Sequence, residues 1–232
     1  LAFLVLTVYL QIIHFDLVDI DDQAIAADLL RRLYAEEHIL LTFPRIPINT
    51  LYWAPISVLL YIIDVILWKN QTNLYHCSNL ALHIGSVFLV FAIINKTTGH
   101  LWKSTLAAIL FAIHPVNTNA VVIWGNRYTL VEAFFVLLTL LFYCAYAQKP
   151  NRKRYLLVLL TFIMSLLSKS TAIYLPFLMI LADFWPLRRM NSATAASHRK
   201  RSANLFVEKI PFFFISCLWF FFAVYFFHTG TY

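Results

Sequence analysis

Seven apolar stretches, approximately 51–68, 75–95, 102–114, 118–147, 155–168, 171–187 and 206–228, follow one another with only short polar breaks between them. An eighth, Leu1–Ile13, opens the chain. Of the 232 residues 61% are hydrophobic and 12% charged, with a mean hydropathy of +0.73. No water-soluble core of this size needs that much apolar side chain, so the sequence predicts an all-α, multi-pass membrane protein built as a single transmembrane domain over residues 1–232. About 13 residues are too few to span a bilayer that needs roughly 20, so Leu1–Ile13 reads as a truncated start or a short, tilted first helix. It lacks the basic leader and small-residue cleavage site of a signal peptide.

The charges fix an orientation. The net charge is +7, and half of the 18 basic residues lie in Lys149–Arg154 and Arg188–Arg201. Basic loops of that kind are what the positive-inside rule expects on the cytoplasmic side, so the charge points to no nucleic-acid partner. Residues 188–205 read as a basic cytoplasmic linker, flexible over Met190–Arg201. The turns His114–Asn119 and Lys169–Ser170 are nearly bare of positive charge and belong outside. Parity then predicts seven crossings, with residues 14–68 as an outer loop carrying juxtamembrane helices. In this arrangement 51–68, marginal in length and carrying Asp64, is juxtamembrane or re-entrant, and 24–41 is an amphipathic surface helix ended by Pro44 and Pro47. Cys77, Cys144 and Cys217 stand far apart inside apolar runs and read as packing residues.

Three polar sets and one acidic set interrupt the apolar pattern. His14–Ile25 places Asp16, Asp19, Asp21 and Asp22 within seven positions directly after the first apolar run. Acidic groups held beside hydrocarbon are functional candidates, and the alternative is a solvated loop at a helix end. His76, Asn79 and His83 are three and four residues apart, so they share one helix face and either glue helices together or line a wet cavity. The spacing of seven between the two histidines is not that of a usual metal-ligand pair. His114-Pro115-Val116-Asn117-Thr118-Asn119 ends one helix, and Arg127 follows with no carboxylate beside it in sequence. Its planar fork suits a phosphate, or it snorkels at the lipid boundary. Ser168-Lys169-Ser170-Thr171 forms a polar turn, and Asp183 is placed to pair with Arg188 or Arg189.

In chain order these pieces are the Asp21-Asp22 pair, Trp53-Ala54-Pro55-Ile56, His76-x-x-Asn79-x-x-x-His83, Phe111-Ala112-Ile113-His114-Pro115-Val116, Arg127, Ser168-Lys169 and Leu175-Pro176. The set resembles the membrane part of GT-C glycosyltransferases of the protein O-mannosyltransferase superfamily, above all the transmembrane and tetratricopeptide-repeat O-mannosyltransferases and their bacterial relatives. The resemblance implies a GT-C-like helical bundle that transfers a mannose-like hexose from a polyprenyl-phosphate carrier to a protein or glycan hydroxyl, with inversion. It implies Asp21 or Asp22 as general base, with Asp22 a possible ligand for a divalent Mg or Mn ion, and Arg127 and Lys169 on the donor phosphate. His76, Asn79, His83, His114 and Asn119 would line the outer cavity. Ala54, Asn119, Thr129 and Ser170 depart from the family pattern; the carboxylates usual near Asn119 and Thr129 are missing, which leaves compensation by Asp16, Asp19 or Glu36, metal-free catalysis, or an inactive branch open. The implied partners are membrane lipids, the lipid-linked sugar, and a partner subunit or a further C-terminal region. The short loops favour a bacterial cytoplasmic membrane over the endoplasmic reticulum. A non-catalytic membrane scaffold derived from the same fold is the alternative.

Overall fold

The computed structural model of the protein describes residues 1–17, 20–35, 54–189 and 195–229, without the side chains of 20–21, 195–203 and 226–229. Ten α-helices occur among these residues: α1 Ala2–Tyr9, α2 Ile20–Tyr34, α3 Pro55–Trp68, α4 Tyr75–Thr98, α5 Leu101–Ile113, α6 Val116–Val122, α7 Arg127–Gln148, α8 Arg152–Ser168, α9 Leu175–Phe184 and α10 Ala195–Thr229. Short 3₁₀ turns at Leu10–His14, Thr72–Leu74, Trp124–Asn126 and Ser170–Tyr174 join them, and no strand is present among the described residues. The boundaries follow local chemistry. Pro55 and Pro176 open α3 and α9, where a missing N–H costs nothing. Gly99 closes α4 in the left-handed conformation at φ 71°. Asn151 caps α8 by accepting from the Arg154 N–H at 2.8 Å.

Seven crossings are not what the helices provide. Among the described residues three are long and apolar enough to cross a bilayer, Thr72–Thr98, Trp124–Gln148 and Asn204–Tyr225. A fourth is reached if α5 and α6, bent by 62° at their break, cross as one. The reason is length. The 13 residues of α5 reach only about 20 Å at 1.5 Å per residue, short of a hydrocarbon core of about 30 Å. The 17 residues of α8 begin with Arg152, Lys153 and Arg154, and α9 has 10. The apolar run 118–147 is likewise divided, because the Trp124–Asn126 turn separates α6 from α7. Hydropathy along the sequence counts apolar residues and does not see these breaks.

Three buried clusters hold the bundle. One, at the end where α7 begins, joins Leu17, Ile25, Ala26 and Leu29 to Val58, Tyr61, Ile62, Val65, Tyr75 and Trp124. A second packs Val5, Tyr9 and Ile12 onto α4–α7. The third, toward the other end, gathers Tyr143, Val158, Phe162, Leu166, Met179 and Phe212. Of the amphipathic surface helix expected over 24–41, residues 24–34 lie in α2, which begins earlier, at Ile20, and 36–41 lie outside the described residues. The apolar face of α2 packs on α3, while Asp28 on the other side bonds Arg31 at 3.0 Å and Arg32 at 2.8 Å. Burial opposes charge on Asp28, but the hydrogen bonds from Arg32 and Arg31 outweigh it and hold the carboxyl below its ordinary range. Residues 36–53, with Glu36, Pro44, Pro47 and Trp53, and likewise Asp19, lie outside the described residues.

Candidate functional site

Hydrogen bonds gather the first acidic segment, the start of α3, the α6–α7 break and the Lys169 turn at one end of the bundle. Asp22, in the first turn of α2, is fully buried and accepts from two successive backbone amides, Trp124 N–H at 3.1 Å and Gly125 N–H at 2.6 Å. A carboxylate can come this close only over a glycine. A Cβ at Gly125 would stand 2.5 Å from Asp22 Oδ1. The Tyr61 hydroxyl donates to the Gly125 carbonyl at 2.7 Å, so the break is held from both sides.

The Trp124 ring carries the contact inward. It meets Tyr61 edge-on at 4.6 Å and lies 4.8 Å from Tyr75, and its Nε1–H donates to Asp64 Oδ2 at 2.9 Å. The same carboxylate oxygen accepts from the Ser78 hydroxyl at 2.8 Å and from Arg127, with which it forms a buried ion pair. Arg127 is fully buried. Its Nε donates to Asn79 Oδ1 at 2.9 Å, one Nη to the Leu60 carbonyl at 3.0 Å, and the other to Tyr75 O, Ser78 and Asp64. Its guanidinium also sits 5.1 Å from the Tyr61 ring and 5.5 Å from Trp124. Asn79 completes the knot by donating to the carbonyls of Val121 and Ile123, both at 3.3 Å. A buried pair offsets its desolvation only with further hydrogen bonds around it, and here Asn79, Ser78, Trp124 and two backbone carbonyls supply them. Asp22 and Arg127 therefore meet on Trp124, and the space between them is filled by aromatic rings. As packed, Arg127 offers no exposed surface and no unengaged nitrogen to a phosphate.

A more accessible polar strip runs beside the knot. Lys169, half-buried, donates from Nζ to Thr129 Oγ1 at 3.2 Å and stands 4.9 Å from the Tyr128 ring. The Tyr128 hydroxyl donates to Asn126 at 2.9 Å, and the Asn126 amide donates to the exposed Asn119. On the other side of Lys169, the Thr171 hydroxyl donates to the buried Glu132 carboxylate at 2.7 Å. Ser57 at the start of α3 donates to the Ser168 carbonyl at 3.1 Å, tying this turn to the knot.

The histidines divide. His83 is buried, with Nε2 at 3.0 Å from the Ala112 carbonyl and its ring against Tyr9, an interhelical tie. His76 is buried, with the Asp16 backbone beside its ring and neither nitrogen in a well-aligned hydrogen bond. His114 is exposed and accepts from the Val116 N–H through Nδ1 at 3.2 Å, closing its own turn. The Asp21 side chain lies outside the described residues, and Asp16 is exposed.

A divalent ion needs converging ligands. Among the described residues no group of three His, Cys, Asp or Glu side chains comes together, and both oxygens of Asp22 already hold backbone amides. The described donors do not fit a Mg or Mn site.

Several of these partners were not evident from sequence. Asp64 was legible only as a polar fault in an apolar run, and Trp124, Gly125 and Glu132 carried no signal of their own. One rule does reach the ion pair: lone charges inside apolar helices find each other, and Asp64 and Arg127 are such charges.

Comparison with known proteins gives a distant link to the O-mannosyltransferases over part of the chain. A protein O-mannosyl-transferase Tmtc1 of Drosophila melanogaster is 29% identical over 141 residues, which cover 60% of this chain and 16% of that relative. The match thus takes in about one sixth of the relative's length. No family model matches the chain, and no solved structure does.

Proposed function

We propose that this chain is the membrane part of a glycosyltransferase that moves a mannose-like hexose from polyprenyl phosphate to a hydroxyl on a protein or glycan, with inversion. The observation that carries the reading is the clasp of Asp22 on Trp124 and Gly125, which fixes the helix of the acidic pair at the same end as the Lys169 turn. The likeness to an O-mannosyl-transferase supports the reaction class.

In this reading the acceptor oxygen attacks the anomeric carbon, the bond from that carbon to the phosphate oxygen breaks, and the acceptor proton passes to a carboxylate. Asp22 is buried on backbone amides, so the base is Asp21. The leaving phosphate takes its countercharge from Lys169, which is partly accessible, while Arg127 serves the architecture. Glu132 lies within electrostatic reach of Lys169 and complements its charge.

The test is transfer of labelled mannose from polyprenyl-phosphate mannose to a serine- and threonine-rich peptide by the chain in lipid nanodiscs. Asp21→Asn is expected to cut transfer by about 10²-fold or more, the size of a general-base contribution, with folding unchanged. Equal transfer by Asp21→Asn would overturn the assignment of the base.

One set of observations favours the scaffold reading: Arg127 is wholly engaged, and Asn119 and Thr129 supply no carboxylate beside Lys169. A scaffold would show no turnover in this assay and would co-purify with a fixed partner.

A further inference from the structure

At the end of the bundle away from the proposed site, a groove of about 670 Å³ opens between α8 and α10. Its walls are two helix faces. Arg152, Tyr155 and Leu156 are spaced three and four apart on α8, and Asn204, Val207 and Glu208 have the same spacing on α10. Tyr146 and the Pro150-Asn151 turn close the remaining side.

The lining is sorted by polarity. Leu156 and Val207 are 60% and 62% exposed, a pair of aliphatic side chains facing whatever surrounds the bundle. Toward the helix start stand Asn151, Arg152 and Asn204, in a segment where Arg152, Lys153 and Arg154 follow one another and Lys149 precedes them. Arg154 is committed to the carbonyls of Ala145 and Lys149, at 2.8 and 3.0 Å. Arg152 is exposed and forms no ion pair with a described residue. The one carboxylate in the groove, Glu208, is neutralised from behind. Arg189 donates to it at 3.0 and 3.1 Å, Tyr146 at 3.2 Å and Lys209 at 3.4 Å. What remains is a slot with an aliphatic lower wall, two tyrosines at the level where aromatic residues favour the membrane interface, and a basic upper rim.

We propose that this groove holds one anionic glycerophospholipid of the leaflet that faces the basic loops. Its phosphate sits at Arg152 with Asn151 and Asn204, and one acyl chain lies along Leu156 and Val207. A cation beside an anionic membrane surface favours a charged over a zwitterionic headgroup by about fivefold. The proposal does not depend on the glycosyltransferase reading, because it concerns the opposite end of the bundle.

The experiment is native mass spectrometry of the purified chain, delipidated in detergent and titrated in parallel with phosphatidylglycerol, phosphatidylcholine and glycerol 3-phosphate. The wild type is expected to retain one phosphatidylglycerol about fivefold more than phosphatidylcholine and to retain no glycerol phosphate. Arg152→Gln removes the preference while keeping lipid. Val207→Trp, which fills the slot, removes both lipids. Lys153→Gln, outside the lining, leaves binding as in the wild type. Equal retention of the two lipids by the wild type, or unchanged binding in both Arg152→Gln and Val207→Trp, overturns the proposal. So does a homodimer that excludes lipid from the groove.

Discussion

The two ends of the bundle each bury ionic groups, and they do it differently. At the α7 start a single cation, Arg127, is shared among one carboxylate, one amide, one hydroxyl and two backbone carbonyls, with aromatic rings around it. At the other end Asp183 and Glu208 face Arg189 and Lys209, two charges of each sign. Arg189 bonds Asp183 at 3.0 Å, Glu208 at 3.0 Å and the Tyr143 hydroxyl at 3.0 Å, and Lys209 Nζ lies 2.5 Å from Asp183. Burial works against the charge on Arg189, yet Glu208 and the neighbouring Tyr143 and Asp183 raise its pKa above the ordinary arginine range. The first arrangement stitches side chains to backbone where helices break. The second joins side chains to one another between α7, the end of α9 with the turn that follows it, and α10, and it contains a spare partner for each charge. A knot without a spare fixes a site in position; a quartet with one holds a bundle together.

Removing the one cation is therefore the most damaging change. Arg127→Gln leaves Asp64 buried without its countercharge and is expected to cost about 3–5 kcal/mol, read as a large fall in Tm of the purified chain. Gly125→Ala comes next, because its new Cβ forces Asp22 off the amides; a loss of about 1–3 kcal/mol is expected in the same measurement. At the other end Lys209→Met is expected to cost only about 1–2 kcal/mol, since Arg189 still bonds both carboxylates. If Lys209→Met proves as damaging as Arg127→Gln, the distinction between the two ends fails.

The smallest effect belongs to α2. Asp28 has its pKa lowered in the fold, so its contribution is complete above the unfolded carboxylate pKa of about 4 and is lost as pH falls through the folded value. Asp28→Asn is expected to remove about 0.3–0.5 kcal/mol at pH 7 and nothing in strong acid, measured as the difference in Tm from the wild type across pH.

How much of this was legible follows from what each pattern encodes. The shared face of His76, Asn79 and His83 was legible because helical spacing is a local property, and all three are buried. Asp183 found Arg189, a partner six residues away. Hydrogen bonds gather Asp22, Ser57, Gly125 and Ser168 at one end of the bundle, a meeting of distant stretches that no local spacing encodes. The number of crossings was not legible, because the Trp124–Asn126 turn divides a run whose residues are almost all apolar. Glu208 and Lys209 were missed for the same reason: they look like the polar edge of an apolar segment, and only the fold shows that Lys209 is 1% exposed inside a charge quartet. The sequence leaves Arg127 between a phosphate ligand and the lipid boundary because its partner, Asp64, stands 63 residues earlier.

The central claim is that Asp22 docks the acidic helix onto the break before α7. Amide hydrogen exchange at Trp124 and Gly125, in wild type and in Asp22→Ala, addresses it directly. Both amides should exchange slowly in the wild type and at least about tenfold faster in the variant, the scale expected when a local tie is lost. Fast exchange at these amides in the wild type, or the same slow exchange in both proteins, would contradict it.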